Sequence, residues 1–583
     1  MREGEENIVN TIVYLNSIGY KINKRVLNFL ISEWNNKDGW LFKGINILKE
    51  IDPKVKLSKT EINDIQSHNS KYWNILNTLN IAVLYSDQTF YLPTFADFRG
   101  RIYPLTNYLS YQGSDVARSL LLFDNPLDNP LDETSSKIKP LNDEGFDCLK
   151  VYLANLAGKS KNTWNARIKW TNNNISDLVN NLICNDFKHY TDFIGNLKEP
   201  FQYISILFAM IEVLKSLDNN VIPTVTVPIL FDASCSGIQH LSAMTRDIII
   251  ARKVNILPNE GLDDATDDEI LEKAVPQDYY NYAGINVQLE LDKEKGILSN
   301  IKLNRDLIKK TVMTIPYNIT LKGVEGQFKE HFTLTKEGQK YFYLVPALYT
   351  KNNKNIFLMP TEFSKLILII YKNLIKIPSL TELTKYLNKL MTILLKLDQP
   401  IIWNTPVGLK INLSSMEFKA VETKSQILKS SKPITIRLPI NKKLDKSKIH
   451  TAFMPNLIHS LDASNIHLLI PKLTDQPLYT IHDCFATDAN NMQNLELFIK
   501  EAFIEIYFRD GNYLIGMHNN LVRQILDHAE KYYINDKGEN IVLIDKKEMK
   551  IPNLPDQFTS TEHNQLFIKV VLKSKFFINF YYI

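Results

Sequence analysis

Two aspartates at distant positions each follow a short apolar run that predicts a β-strand. Asp232 follows residues 225–231, and Asp483 follows residues 478–482. A carboxylate at a strand end is held at the rim of a sheet, and two such groups on neighbouring strands can share two divalent ions. Hard oxygen ligands suit Mg²⁺, although an aspartate that ends a strand is more often a turn former. From spacing alone, a two-metal site and a pair of turn residues both remain open.

A second set of reactive side chains lies on a predicted helix, residues 304–315, which Pro316 ends or kinks. A step of four residues advances about 40° around a helix, so Arg305, Lys309 and Tyr317 follow one slanted stripe. Two cations one turn apart can grip a triphosphate, and an aromatic ring further along can contact a base and its sugar. On most helices the same spacing simply places two basic side chains in solvent.

The composition is that of an ordinary globular protein. The 583 residues are 44% hydrophobic and 23% charged, which excludes disordered and collagen-like chains. The length exceeds what one hydrophobic core usually supports, so we expect two or more subdomains. No window reaches about 18 uncharged apolar residues, so no membrane partner is expected. Four widely spaced cysteines show neither metal-site spacing nor a disulfide framework, which indicates a reducing compartment: Cys148, Cys184, Cys235 and Cys484.

Positive charge is concentrated in one stretch. The formal net charge is +4, but nine basic residues lie from Lys419 to Lys448, opposed by Glu422 and Asp445. Such a stretch can contact a polyanion such as nucleic acid. For an isolated run of charge a solvated hairpin is the more frequent explanation, and both interpretations remain open.

Longer segments around these residues resemble the bacteriophage-type single-subunit RNA polymerases, a family of phage, mitochondrial and mitochondrial linear-plasmid enzymes. Residues 231–240 (FDASCSGIQH), 305–317 (RDLIKKTVMTIPY) and 481–485 (IHDCF) are similar to the family's motifs A, B and C. Further segments match, in chain order, the start of the thumb, the upstream motif, the segment before motif C and the C-terminal foot: 20–24, 96–103 with 111–115, 455–462 and 571–578.

The resemblance implies an α/β (α+β), helix-rich chain with the right-hand polymerase fold of thumb, palm and fingers. The alternation of strands with long helices favours the same class. The implied domains are a thumb-like helical region, the first part of the palm with motif A, the fingers with motif B and a specificity-hairpin region, and the second part of the palm with motif C and the foot. Their boundaries are 1–87, 88–258, 259–454 and 455–583.

By the same resemblance, Asp232 and Asp483 are the catalytic ligands of two Mg²⁺ ions. Lys309 is a third catalytic residue, which contacts the triphosphate and acts as an acid toward pyrophosphate. Arg305 and Lys161 bind the phosphates of the substrate. For Lys161 the matching segment is short, and a solvated surface lysine is a comparable explanation.

The resemblance also assigns the choice of sugar. Related DNA polymerases place a glutamate, which blocks the ribose 2′-OH, where this chain has Gly237. Tyr317 and His459 match positions that face the sugar of the substrate. His482 also adjoins the substrate, but DNA polymerases share it, and a packing histidine remains an alternative. Cys484 follows Asp483, whereas DNA polymerases usually have glutamate there.

Nucleic-acid contacts are implied as well. Arg99 and Arg101 match residues that contact the RNA–DNA hybrid, and Gln327 matches one near the template strand. The basic stretch between Lys419 and Lys448 occupies the place of the promoter-specificity hairpin, and residues 435–438 alternate like its second strand.

The implied function is that of a DNA-directed RNA polymerase, which transfers nucleotides from ribonucleoside triphosphates to an RNA 3′-OH on a DNA template. Its partners are the DNA template, the RNA transcript and the nucleotides. One alternative is an A-family DNA polymerase, which Gly237 and Cys484 oppose. Another is a non-catalytic nucleic-acid-binding remnant, which Asp232, Lys309 and Asp483 oppose.

Three departures from the family pattern carry expectations of their own. The chain starts almost at the thumb, so we expect either an initiation factor in place of the phage enzymes' N-terminal domain or a gene fragment. Pro316 beside Tyr317 predicts an early end of the fingers helix. Residues 579–583 extend past the foot and are expected near the catalytic centre. Abundant Asn, Ile and Lys, without a targeting peptide, favour a mitochondrial, plasmid-encoded protein, with a phage origin as the alternative.

Overall fold

The structure is a computed structural model of the 583-residue chain. It describes residues 3–51, 54, 57–124, 139–183, 190–423, 434–473, 476–509, 512–559 and 564–579. In the described residues every paired strand is antiparallel, and residues in helices outnumber residues in strands. The prediction of a helix-rich chain of mixed class is confirmed, in its α+β form.

The helices are α1 (Glu3–Ser17), α2 (Lys24–Asn35), α3 (Lys59–Leu84), α4 (Asp115–Ser119), α5 (Asp143–Ala154), α6 (Trp164–Ile183), α7 (Thr191–Gly195), α8 (Pro200–Asp218), α9 (Ser236–Thr245), α10 (Ile248–Lys253), α11 (Asp267–Lys273), α12 (Tyr279–Leu291), α13 (Arg305–Met313), α14 (Leu321–Phe328), α15 (Pro360–Leu374), α16 (Pro378–Lys396), α17 (Lys446–Leu469), α18 (Met492–Ile504), α19 (Tyr513–His528) and α20 (Asn564–Val571).

The strands are β1 (Gly19–Ile22), β2 (Phe90–Tyr91), β3 (Thr94–Ala96), β4 (Ile102–Pro104), β5 (Leu121–Phe123), β6 (Ile229–Ala233), β7 (Thr333–Glu337), β8 (Lys340–Val345), β9 (Ile356–Leu358), β10 (Ile401–Asn404), β11 (Lys410–Leu413), β12 (Met416–Thr423), β13 (Ile434–Leu444), β14 (Tyr479–Ile481), β15 (Cys484–Thr487), β16 (Lys531–Ile534), β17 (Asn540–Ile544), β18 (Lys547–Lys550) and β19 (Ile578–Asn579).

A four-stranded sheet at the centre of the palm carries the order β14-β15-β6-β19. The strand predicted at 225–231 was shifted: β6 begins at Ile229, directly after Pro228, which has no N–H to give to a ladder. Asp232 therefore lies inside the strand. The strand predicted at 478–482 is also shorter, because β14 ends at Ile481 and a two-residue turn leads into β15. Asp483 lies in that turn.

The predicted motif B helix ends earlier than its spacing suggested. The prediction covered residues 304–315, but α13 ends at Met313. Asn304 caps the first turn through its side chain, which accepts from Leu307 N at 2.9 Å. Tyr317 lies in the turn that follows, next to Asn318, whose φ is +61°. The expected early end of the fingers helix is confirmed.

Residues 1–87, the predicted thumb region, contain the helices α1, α2 and α3. However, β1 pairs with β5, far along the chain, and α1 lies against α17, where the hydroxyl of Thr11 is 2.8 Å from Nδ1 of His467. The N-terminal 22 residues therefore pack on the palm. The four domain boundaries stay predictions.

Helix α8 runs through the interior of the palm and contacts α2, α4 and α5. Among the described residues it is the one helix whose length and apolar composition would allow it to cross a membrane. However, 56% of its most apolar window is buried inside the fold. Buried helices of soluble proteins pass the same test.

The basic stretch forms a two-stranded ribbon, as predicted. Strands β12 and β13 pair with each other, and the strand predicted at 435–438 lies inside β13. Two of its lysines are paired with acids, Lys443 with Glu417 at 2.8 Å and Lys446 with Asp398 at 2.5 Å. The tip, 424–433, lies outside the described residues, as does Cys184.

Gly100 is a tight backbone position that a stability measurement can test. Its φ is +87°, and an added Cβ would lie 3.2 Å from Nε2 of His467, which donates to the Gly100 carbonyl. We expect Gly100→Ala to lower the free energy of unfolding by about 1–3 kcal/mol through backbone strain and this contact. Gly326→Ala is the control, because its Cβ would meet open space in α14 and should be neutral or slightly stabilising. Equal urea midpoints for both variants would contradict the interpretation.

Candidate active site

The central sheet places the two predicted catalytic aspartates side by side. Asp232 lies opposite Cys484 in the pairing of β6 with β15, and the N–H of Ala233 donates to the carbonyl of Asp483 at 3.3 Å. In the turn that carries Asp483, His482 has a φ of +59°, a conformation that residues other than glycine seldom adopt. Residues 251 positions apart in the sequence thus share one edge of the sheet.

Asp232 is buried and Asp483 is half-buried, and neither forms an ion pair among the described residues. Burial raises the pKa of Asp232, and the charge of Asp483 raises it further, while Lys309 opposes the shift. Burial also raises the pKa of Asp483, to about 6, and the charge of Asp462 adds to the effect. Arg101 and a hydrogen bond from Ser236 act in the opposite direction. The pair is therefore short of positive charge.

A buried network lies behind Asp483 and was missed as a unit by the sequence analysis. The carboxylate of Asp462 accepts from Arg101 at 2.6 Å and lies 2.8 Å from Nε2 of His240. The other ring nitrogen of His240 is 2.6 Å from the hydroxyl of Tyr507. Burial alone would raise the pKa of Asp462, but His240 and Arg101 outweigh it and lower that pKa. Asp462 and His240 lay inside the matched segments, so a signal was present.

Arg101 is not placed where a hybrid-contacting side chain was expected. It is 8% exposed, and its guanidinium is engaged by Asp462. Inside the palm, Arg101 binds the carboxylate of Asp462, and its charge lowers the pKa of Asp483. Its contact with an RNA–DNA hybrid stays a prediction.

Three predicted phosphate-binding cations meet on the fingers side. Asp278 joins two of them, because its Oδ2 accepts from Lys161 Nζ at 2.8 Å and from Arg305 Nε at 2.7 Å. The ring of Tyr280 lies under the third, with Lys309 Nζ 5.8 Å from its centroid and the Arg305 guanidinium at 5.3 Å. Lys161 is thus part of the cluster rather than an unrelated surface lysine. Asp278 was missed, because an aspartate before a helix signals only a cap.

Lys309 lies near enough to Asp232 for the two charges to affect each other's pKa. Burial lowers the pKa of Lys309, and the positive charges of Arg305 and Lys198 lower it further. The charges of Asp232 and Asp278 act in the opposite direction. A lysine with a lowered pKa gives up a proton more readily than a solvated one.

Tyr317, His459 and Arg99 form a third cluster. The rings of Tyr317 and His459 meet edge to face, 5.3 Å apart, and Nη1 of Arg99 donates to Nδ1 of His459 at 2.7 Å. Arg99 is itself fixed by Asp97, whose Oδ2 accepts from its Nε at 2.8 Å. Burial and the charge of Arg101 lower the pKa of His459 to about 4, so the ring is neutral at pH 7. Because Nδ1 accepts, the proton is on Nε2.

The remaining predicted residues lie around these clusters. Gly237 lies against the fingers, since an added Cβ would be 3.2 Å from the ring of Pro316. The His482 ring packs edge to face on Tyr103 at 5.1 Å, and burial lowers its pKa to about 4. Gln327 donates to the hydroxyl of Thr314 at 3.3 Å and so ties α14 to the end of α13. None of these contacts tests a substrate or template role, which stay predictions.

The foot reaches the catalytic sheet. Strand β19 pairs with β6 so that Asn579 lies opposite Asp232, and the carbonyl of Phe577 accepts from Gln239 at 2.9 Å. The expectation that the chain's end lies near the catalytic centre is confirmed as far as Asn579. Residues 580–583 lie outside the described residues.

The two-carboxylate arrangement fits a divalent ion bound largely by oxygen. Among the described residues no group of three or more His, Cys, Asp or Glu side chains converges as a self-contained metal site. Mg²⁺ typically takes one or two carboxylates and fills its other positions with water and substrate phosphates. Two neighbouring carboxylates that repel each other, Asp232 and Asp483, match that donor set.

Comparison with known proteins agrees with this geometry. A family model described as DNA-dependent RNA polymerase matches residues 139–574. This chain belongs to that family. The resemblance to single-subunit RNA polymerases inferred from the motifs is therefore confirmed, and with it the polymerase fold.

Relatives of this polymerase-family chain include proteins from fungi and plants. It is 41% identical over 608 aligned residues to a probable DNA-directed RNA polymerase of Agaricus bitorquis, covering 99% of this chain and 53% of that protein. It is 30% identical to a probable DNA-directed RNA polymerase of Neurospora crassa, covering 98% and 63%. A mitochondrial DNA-directed RNA polymerase of Schizosaccharomyces pombe is 25% identical, with 98% and 48% covered. The chain spans about half to two thirds of the length of these relatives.

The buried charge of Asp483 should destabilise the metal-free protein. Its folded pKa of about 6 lies above the ordinary value of 3.8, so the stability present below about pH 4 is lost as pH rises through 6. We expect Asp483→Asn to raise the free energy of unfolding at pH 7.5 by about 1–3 kcal/mol in EDTA, and by less at pH 5.

Urea unfolding at both pH values measures this difference. Asp536→Asn, at an exposed position, is the control for loss of one negative charge. A stabilisation of Asp483→Asn that is the same at both pH values, or that Asp536→Asn reproduces, would show that ionisation of Asp483 is not its cause.

Proposed function

We propose that this chain is the catalytic part of a DNA-directed RNA polymerase. It transfers nucleotides from ribonucleoside triphosphates to the 3′-OH of an RNA transcript on a DNA template. The observation that carries the proposal is that a pair of neighbouring carboxylates, Asp232 and Asp483, lies near a cluster of three cations, Lys161, Arg305 and Lys309, through the interaction of Lys309 with Asp232. Phosphoryl transfer needs these two groups of charge on opposite sides of one substrate.

Asp232 and Asp483 are proposed to hold two Mg²⁺ ions. The ions supply activation of the attacking hydroxyl and neutralisation of the charge that develops on the phosphate oxygens. The protein's own part is to keep both carboxylates fixed on paired strands and to exclude water from them.

The cations have separate tasks in this proposal. Arg305 and Lys161 bind and orient the triphosphate, because their positions are fixed by Asp278. Lys309 also binds the phosphates, and its lowered pKa suits it to give a proton to an oxygen of the leaving pyrophosphate. In this proposal Arg305, Lys161 and Lys309 of this chain bind the phosphates directly, and Lys309 donates the proton.

Selection of ribose is proposed for the cluster of Tyr317 and His459. The Nε2–H of His459 is a donor whose tautomer is set by Arg99, and it suits a hydroxyl oxygen of the sugar. A nucleotide without that hydroxyl leaves a buried polar group unpaired, which costs affinity. Gly237 leaves the neighbouring space without a side chain.

Contacts with nucleic acid are proposed for Arg99, Arg101 and Gln327, and for the β12–β13 ribbon, with the last as the promoter-reading element. Arg99 is the best supported of these, because it adjoins the sugar-selecting cluster. His482 is proposed to adjoin the substrate, and its ring packs on Tyr103 in the turn that carries Asp483. A mitochondrial location is proposed from composition and from the mitochondrial name of one relative. A separate initiation factor stays a prediction.

The two alternatives are less well supported. An A-family DNA polymerase is disfavoured by the packing of Gly237 on Pro316, which leaves no room for a glutamate without movement of the fingers. A non-catalytic remnant is disfavoured because Asp232 and Asp483 are buried as a like-charged pair. That arrangement costs stability without a bound cation.

Primer extension on a pre-assembled RNA–DNA scaffold tests the proposal. With Mg²⁺ and ribonucleotides we expect template-dependent extension, and Asp483→Ala should reduce its rate by about three or more orders of magnitude. A scaffold bypasses promoter opening. Preference for deoxynucleotides would favour the DNA polymerase alternative, and scaffold binding without extension would favour the remnant.

Replacement of Tyr317 tests sugar selection. We expect Tyr317→Phe to reduce the preference for ribonucleotides over deoxynucleotides by about 10- to 100-fold, with a smaller effect on ribonucleotide extension. The ratio of kcat/KM for the two substrates measures it. Tyr341→Phe, on the exposed face of the fingers sheet, is the matched control. An unchanged ratio in Tyr317→Phe would remove this residue from sugar selection.

A further inference from the structure

Asp278 is a charged residue that lies in none of the matched motifs, yet it contacts two of the proposed phosphate-binding cations. It caps α12: its Oδ1 accepts from the N–H groups of Tyr280 at 3.1 Å and Asn281 at 3.3 Å. Its Oδ2 accepts from Lys161 at 2.8 Å and Arg305 at 2.7 Å. Because the cap fixes one oxygen, the other is a rigid acceptor for the two cations.

The two cations reach Asp278 from distant parts of the chain. Lys161 follows the π-helical turn Asn155–Lys159 and lies 117 residues before Asp278, whereas Arg305 begins α13, 27 residues after it. Burial lowers the pKa of Lys161, and the charges of Arg305 and Lys309 lower it further. These like charges repel one another, so the cluster needs an anion to hold it together.

The charge of Asp278 is maintained by the same contacts. Burial alone would raise the pKa of Asp278, but the hydrogen bond and charge of Lys161 and those of Arg305 outweigh it, and the pKa is lowered. The side chain is 15% exposed. These contacts favour the ionised form of Asp278, and its bonds to the two cations are charge-assisted.

The edge of Arg305 that bonds Asp278 decides what the rest of the group can do. Asp278 accepts from Nε, and the ring of Tyr280 supports the guanidinium from below at 5.3 Å. Nε lies at one end of the planar fork, so this contact fixes the plane and direction of the two terminal amino groups. Those groups can then donate together to phosphate oxygens.

We propose that Asp278 is a positioning residue for the triphosphate: it holds Lys161 and Arg305 at a fixed separation before the nucleotide arrives. The inference rests on the proposed function and deepens it. Without Asp278 the two cations separate, and the nucleotide must reassemble them when it binds. The opposite expectation is that Asp278 merely screens the cluster, in which case its removal would strengthen polyphosphate binding.

Asp278→Asn and Asp278→Ser separate the two expectations. Both side chains preserve the helix cap but remove the charge that the cations share. On the RNA–DNA scaffold we expect KM for ribonucleotides to rise about tenfold, kcat to fall less than about threefold, and scaffold affinity to stay unchanged. Asp247→Asn is the matched control, because Asp247 caps α10 in the same way, through Ile250 N at 3.0 Å, away from the cations.

A double-mutant cycle shows whether Asp278 acts through its partners. In a Lys161→Met background, Asp278 has lost one of the two cations that it positions. We therefore expect Asp278→Asn to raise KM by less than about threefold there. A tenfold rise that persists in the Lys161→Met background would contradict action through Lys161.

Titration calorimetry with inorganic tripolyphosphate gives a readout that needs no turnover. We expect Kd to be about five- to tenfold weaker for Asp278→Asn and Asp278→Ser than for the unchanged chain. Tighter binding, or unchanged binding and KM in both variants, would overturn the proposal. If the unchanged chain does not extend the scaffold, the proposed function fails. Weaker tripolyphosphate binding by the variants would still support the positioning role of Asp278.

Discussion

The structure depends on one electrostatic conflict: the carboxylate of Asp232, buried on β6, lies beside that of Asp483, in the turn that leads into β15. The pairing of β6 with β15 fixes Asp232 and Asp483 at one edge of the sheet, and burial makes their repulsion strong because few waters screen it. Such a pair is stable as an ionised unit only when positive charge is near. The surrounding elements supply that charge from two directions, from below through the palm and from above through the fingers.

From below, Arg101 and His240 neutralise Asp462, so that a third buried carboxylate behind Asp483 can exist at all. Removal of one member would leave an unpaired charge in the interior, which is strongly destabilising. From above, Lys309 lies near Asp232, and its pKa is lowered first by burial and then by the charges of Arg305 and Lys198. The divalent ions proposed for the two aspartates would supply the positive charge that the described residues do not.

The same balance recurs among the cations and at the sugar-selecting cluster. Lys161 and Arg305 would repel each other, and Asp278 offsets this repulsion with one fixed oxygen. Asp97 does the same for Arg99, which in turn sets the tautomer of His459. In each case a carboxylate on a capped helix or tight turn positions a longer, more flexible basic group. The reactive side chains are thus oriented by less conspicuous neighbours.

The sequence by itself was enough to predict the catalytic role proposed for Asp232, Lys309 and Asp483, because these residues lie inside contiguous matched segments. It also determined the helix-rich class and the early end of α13, since Pro316 acts on its own turn. Strand limits were less well predicted, because Pro228 and the turn at His482 override the apolar pattern. Only the tertiary structure decided that Arg101 pairs with Asp462, 361 residues away, and that Asp278 joins Lys161 to Arg305. The physical reason is that burial and charge pairing depend on which distant segments meet, and a local pattern of residue types holds no record of that distance.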